Sequence, residues 1–143
     1  SGIFLAEISG KNNGEFYTIE IDEERYNIAK ENFNKLGLSN VNLILGDALE
    51  KIDGIDKAFD FIFIDASKGQ YKKFFDLTYP KLSENGIIFI DNILFRGLAI
   101  EEEVTKRYRT IAKKLNEFIG YLSENHDFVL LPFGDGIGLV KKK

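Results

Sequence analysis

Asp65 follows the apolar run Phe61-Ile62-Phe63-Ile64, and the pair Asp91-Asn92 follows Ile87-Ile88-Phe89-Ile90. If both runs are strands of one sheet, two carboxylates and an amide oxygen share one sheet edge. That is a hard-oxygen donor set suited to Mg²⁺ or Ca²⁺. Without a cation, Asp65 and Asp91 would repel each other at close range. The competing reading is that these residues only cap the helices or turns that follow. Lys68 lies three residues after Asp65, on the turn leaving that strand. A neighbouring dication disfavours the charged form of a lysine, which is the condition for service as a general base. A lysine in a polar loop is a plain surface residue more often than not. Glu20 closes an earlier strand-like run, where a carboxylate can accept hydrogen bonds from both hydroxyls of a ribose or simply be solvated. His126, in Glu124-Asn125-His126-Asp127, occupies no motif position and reads as structural.

Elements that could position these residues alternate along the chain. Phe16-Tyr17-Thr18-Ile19-Glu20-Ile21 is β-branched and aromatic, which predicts a strand. Asp22 is placed to cap a helix, with Glu23 and Glu24 in its first turn. Tyr26, Ala29, Phe33 and Leu36 then recur at helical steps, and Gly37 falls where a left-handed cap would end the helix. Val41 to Leu45 is a second strand leading into Gly46-Asp47-Ala48. The almost wholly apolar run Phe59 to Ile64 predicts a strand buried on both faces. A helix from about Tyr71 to Tyr79 stops at Pro80, and Gly86 precedes the strand Ile87 to Ile90. Val104, Tyr108, Ile111, Leu115, Phe118 and Leu122 mark a long amphipathic helix. Phe128 to Leu131 and Ile137 to Val140 bracket Gly134-Asp135-Gly136 as a hairpin. The pattern is a doubly wound α/β fold with an antiparallel C-terminal edge, in which ligands sit at the carboxyl ends of parallel strands.

Composition narrows the chemistry. The 143 residues, 44% of them hydrophobic, suit one folded domain rather than a disordered chain. The absence of cysteine excludes disulfides, thiolate metal sites and a cysteine nucleophile. A single histidine excludes a site built from several imidazoles. No apolar run approaches the roughly 20 residues of a membrane span, and no signal peptide is visible, so a soluble, cytoplasmic protein is expected. The chain opens at Ser1-Gly2 and has no methionine, which reads as a processed or partial chain.

Taken together, Tyr17-Thr18-Ile19-Glu20-Ile21-Asp22, Gly46-Asp47-Ala48, Phe63-Ile64-Asp65-Ala66-Ser67-Lys68-Gly69-Gln70-Tyr71 and Ile90-Asp91-Asn92-Ile93-Leu94-Phe95-Arg96-Gly97 resemble one family. It is the metal-dependent O-methyltransferases of the catechol and caffeoyl-CoA type, which use S-adenosylmethionine. The resemblance covers nearly the whole chain and implies a Rossmann-like class I methyltransferase sheet. It implies that Glu20 and Ile21 hold the ribose side of S-adenosylmethionine, that Asp47 and Ala48 border its adenine, and that Asp65 lies beside it. It assigns Asp65, Asp91 and Asn92 to Mg²⁺ or another hard divalent cation, Lys68 to proton abstraction, and Tyr71 and Arg96 to the acceptor. A homodimer is also expected.

Two features depart from the family. Ser67 stands where an acid is common. More seriously, N-terminal helices, a central first strand and a glycine-rich turn belong upstream, and Ser1 to Glu7 resembles the helix that follows that turn. A single domain over residues 1–143 lacking those parts is therefore expected, with the central strand missing between the strands that end at Glu20 and Asp65. The segments around Lys68 and Asp91 are most similar to bacterial members that methylate 5-hydroxyuridine in tRNA. Basic residues at Lys72, Lys73, Arg96, Lys106, Arg107, Arg109, Lys113 and Lys114 could guide phosphates despite a net charge of -4. Small catechol-like or hydroxycinnamoyl acceptors are the alternative, and an inactive fragment that no longer binds cofactor is a third.

Overall fold

A computed structural model of the chain describes residues 1–101 and 105–142. It resolves into two compact units, Ser1–Ile55 and Asp56–Lys143.

In the first unit, helix α1 (Gly2–Lys11) precedes strand β1 (Phe16–Glu20), helix α2 (Glu23–Lys35), strand β2 (Val41–Leu45) and the short helix α3 (Ala48–Lys51). β1 and β2 pair in parallel, from Phe16 opposite Val41 to Glu20 opposite Leu45. The local signals account for most of this. Asp22 adopts an extended backbone and its Oδ1 accepts from the Arg25 N–H at 2.8 Å, satisfying an orphan donor of α2. Gly37 takes φ 66° just past the helix end. Asn40 donates to the carbonyls of Ala6 and Gly14, tying α1 and the turn after it to the start of β2. Phe33 is buried and meets Phe16 edge-on at 6.4 Å.

The second unit contains strand β3 (Phe59–Ile64), a 3₁₀ turn Lys68–Gln70 and helix α4 (Tyr71–Thr78). A second 3₁₀ turn, Tyr79–Lys81, takes in Pro80, and strand β4 (Leu82–Ile90), helix α5 (Arg109–Asn125), strand β5 (Asp127–Leu131) and strand β6 (Ile137–Lys141) follow. The sheet order is β3-β4-β6-β5, with β3 and β4 parallel and β6 antiparallel to both its neighbours. The C-terminal hairpin expected from sequence therefore forms, but its second strand is the inner one and β5 is the edge. One sheet face, carrying Ile64, Ile88, Ile90 and Val140, packs against Tyr71 and Phe75 of α4 and Leu115, Phe118 and Leu122 of α5.

Three expectations are adjusted. The strand through Phe61 is not buried on both faces: Phe61 is 46% exposed, and Ile87, its partner in register, is 40% exposed. Only the face toward α4 and α5 is fully packed, because alternate residues of a strand point to opposite sides. β4 begins at Leu82, with a register shift opposite Phe59–Phe61 where Asn85 takes φ 62°. The long helix starts at Arg109, and Val104 lies outside the described residues. Among the described residues no helix is long and apolar enough to cross a membrane.

Gly136 joins this framework to the loop after β4. It has φ 81°, its N–H donates to Phe133, and its carbonyl accepts from Ile93. A Cβ at this position would overlap the Leu94 side chain, whereas one at Gly134 would meet nothing. Gly136→Ala is therefore expected to cost about 2 to 4 kcal/mol, from steric overlap plus backbone strain, and Gly134→Ala about 1 kcal/mol. Urea unfolding of the two variants checks the difference.

Candidate functional site

In the second unit, pairing of β3 with β4 ends at Ile64 opposite Ile90, so Asp65 and Asp91 leave neighbouring parallel strands side by side. The Asp91 N–H donates to the Ile64 carbonyl at 3.0 Å, carrying the ladder one residue further. Neighbouring strands lie about 4.8 Å apart, which brings the two acidic residues close. Asp65 is exposed, and Asp91 and Asn92 are half-buried. One Asp91 carboxylate oxygen, Oδ1, accepts from the Asn92 N–H at 2.8 Å, closing a tight turn in which Asn92 takes φ 54°. Asparagine is one of the few residues that tolerate this conformation.

The loop continues with left-handed backbone at Phe95, Arg96 and Gly97. It is held from the hairpin turn. The Asp135 side chain accepts from the Arg96 N–H, and the Asp135 carbonyl accepts from the Leu94 N–H at 3.0 Å. Sequence reasoning passed over Asp135, although an acid between two turn glycines was visible as a signal.

Lys68 begins the 3₁₀ turn after β3 and is half-buried. Its Nζ donates to the Tyr71 hydroxyl at 3.0 Å, and that hydroxyl donates to the Asp91 backbone carbonyl at 2.7 Å. Tyr71 is 1% exposed. Sequence reasoning placed it against the acceptor; in the fold the ring is buried and its hydroxyl bonds Lys68 and the Asp91 carbonyl. Burial, reinforced by the charges of Asp65, Asp91 and Asp135, holds the phenol proton well above its ordinary range. Arg96 is exposed at the loop tip. His126 packs edge-on against Tyr79 and Phe75 with Nε2 3.3 Å from the Tyr121 hydroxyl, a structural setting.

In the first unit the strand ends carry the other expected residues. Glu20 is half-buried at the end of β1, and its Oε1 accepts from the Asp22 N–H at 3.0 Å. Ile21 beside it is 68% exposed. Asp47 Oδ1 accepts from the Leu49 N–H at 2.9 Å, so this carboxylate caps α3, of which Ala48 is the first residue. One oxygen of each acid is thus spent on orienting it.

Among the described residues no group of three or more His, Cys, Asp or Glu side chains gathers as a metal site. The donor set at β3 and β4 is two carboxylates and the Asn92 amide, oxygen donors of the kind hard divalent cations take. Those residues fit such an ion.

In parallel-stranded α/β architectures ligands sit at the carboxyl ends of the strands, where these acids lie. A family model described as O-methyltransferase matches residues 6–143, and the chain belongs to that family. It is 30% identical to the caffeoyl-CoA O-methyltransferase of Stellaria longipes, covering 98% of this chain and 63% of that protein. Among solved structures, a candidate caffeoyl-CoA O-methyltransferase from Staphylococcus aureus superposes with a TM-score of 0.86 at 31% identity, covering 99% of this chain and 69% of that one. The S-adenosylhomocysteine-bound methyltransferase PaMTH1 of Podospora anserina gives 0.79 at 31% identity, covering 91% and 61%. The fold is that of the Rossmann-like methyltransferases. The chain spans a little under two thirds of the length of its curated relatives.

The Tyr71 environment makes an alkaline prediction. Because folding raises the phenol above its ordinary value of 10.0, the neutral phenol's contribution to stability is complete below that pH and is lost as pH rises through the folded value. Urea midpoints measured through alkaline pH should fall more steeply for the wild type than for Tyr71→Phe.

Proposed function

We propose that the protein transfers a methyl group from S-adenosylmethionine to a hydroxyl of a small acceptor bearing two neighbouring oxygens, with a divalent cation, Mg²⁺ in the first instance, as cofactor. The observation that carries this reading is the pair Asp65 and Asp91 at adjacent strand ends with Lys68 tethered to the second of them. Asp65, Asp91 and Asn92 would hold the cation. Glu20 and Ile21 would hold the ribose side of the cofactor, and Asp47 and Ala48 its adenine. When bound, the cation supplies positive charge to a substrate oxygen and S-adenosylmethionine supplies the electrophilic methyl.

This chain's residues do the rest. Lys68, its amine fixed through Tyr71, takes the proton of the acceptor hydroxyl. The three carboxylates around Tyr71 favour a cation and disfavour any anion that does not arrive with one. Positioning of this kind supplies much of the acceleration in a bimolecular transfer. Arg96, exposed on the loop after β4, would meet the acceptor.

A small acceptor is preferred because the Stellaria longipes relative is named for caffeoyl-CoA. The second reading, 5-hydroxyuridine in tRNA, is favoured by exposed basic residues at Lys73, Arg96, Lys106, Arg107, Arg109 and Lys114. The relatives lend it no support. Salt dependence separates the two: tRNA binding should weaken steeply as salt rises, and turnover of a catechol should not. A cytoplasmic homodimer is the proposed working state.

In the intact protein, Asp91→Ala is expected to lose cation-dependent turnover by roughly 10²-fold or more with its thermal transition preserved. Calorimetry with Mg²⁺ should show the matching loss of binding, and full turnover in excess chelator would refute the cation. Lys68→Ala should lower kcat by roughly 10² to 10⁴ while S-adenosylmethionine affinity holds. A variant that keeps wild-type kcat would make Lys68 a surface residue.

A further inference from the structure

We infer that Tyr71 is a positioning residue for the reaction, tying the Lys68 amine to the end of β4 and fixing which way its hydrogen bonds run. The inference rests on the proposed role of Lys68 as the base. Two contacts carry it: Lys68 Nζ lies 3.0 Å from the Tyr71 hydroxyl, and that hydroxyl lies 2.7 Å from the Asp91 carbonyl oxygen.

The donor and acceptor roles admit one arrangement. A backbone carbonyl can only accept, so the phenol's single proton points to Asp91. The phenol oxygen is then left only as an acceptor, and Lys68 must donate to it whether it is an amine or an ammonium. The tyrosine therefore holds one amine N–H and leaves the lone pair of the neutral amine unused. A group fixed in this way is anchored without losing its ability to take a proton.

The anchor is rigid. Tyr71 opens α4, is 1% exposed, and belongs to the core cluster with Phe75, Ile88 and Ile90. The lysine sits three residues earlier on a turn whose own 3₁₀ segment is only Lys68–Gln70. A long side chain on a short turn has many rotamers open to it, and a fixed hydrogen-bond partner narrows them. Through Tyr71 its nitrogen takes its position from β4, the strand that also delivers Asp91, rather than from its own loop.

The test uses the intact protein with S-adenosylmethionine, Mg²⁺ and catechol, in four forms: wild type, Tyr71→Phe, Lys68→Ala and the double variant. Tyr71→Phe is expected to lower kcat roughly ten- to a hundredfold with KM for S-adenosylmethionine unchanged. In the Lys68→Ala background it should cost nothing further, because the tyrosine acts through the lysine. Losses that multiply, or an unchanged kcat in Tyr71→Phe, overturn the inference. A second readout needs no turnover: the rate at which acetic anhydride labels Lys68, followed by mass spectrometry with Lys72 as internal control. Tyr71→Phe should speed labelling of Lys68 several-fold and leave Lys72 unchanged. Equal acceleration at both lysines reports unfolding and overturns the inference, as does no acceleration at Lys68. Faster labelling of Lys68 together with full activity in Lys68→Ala would uphold the tether and refute the lysine's role as base.

Discussion

The parallel register that sets Ile64 opposite Ile90 is the constraint on which the second unit depends. It sends Asp65 and Asp91 out of the sheet together, against their mutual repulsion. Asp65 is exposed, so solvent screens much of that repulsion. Against it stand the side chains that fix the register. Ile64, Ile88, Ile90 and Val140 are all buried on one face, each contributing about 1.5 to 3 kcal/mol. A slip of one residue would turn the isoleucines outward and bring Phe61 and Phe63 onto the helices. Apolar burial therefore outweighs the repulsion and holds two like charges in place.

Much of this was legible from local signals. The cap at Asp22, the glycine past α2, the apolar strand runs and the strand-end acids each depend on a few neighbouring residues, and each lies where sequence placed it. What sequence could not give depends on partners remote along the chain. The exposed side of β3 depends on which layers cover the sheet, and a run such as Phe59 to Ile64 does not say whether one face or both are covered. The inner position of β6 is a matter of topology. Asp135 emerges as a clamp only when the hairpin turn meets the loop after β4, 39 residues away from Arg96. The role of Tyr71 depends on a carbonyl 20 residues further on. Residue type alone does not reveal that partner.

Capping and ligand binding are often treated as rival explanations of a strand-end acid. The first unit shows that they are compatible. Glu20 and Asp47 each spend one carboxylate oxygen on a nearby backbone N–H. A carboxylate has several acceptor positions, so a local bond fixes its plane without exhausting it. An acid oriented in this way loses less side-chain freedom on meeting a ribose than one that swings freely.

The inner position of β6 also dictates an order of events during synthesis. β3, β4 and α4 are all made before the hairpin, but the loop after β4 takes its left-handed course only with Asp135 and Gly136 against it. Until β6 has left the ribosome and slipped between β4 and β5, Asp91 stands at an open sheet edge and the loop beyond it has no fixed shape. The nascent chain can thus bury its isoleucines before the loop after β4 meets the hairpin turn. A long-range closure of this kind makes the final step slow in comparison with helix formation.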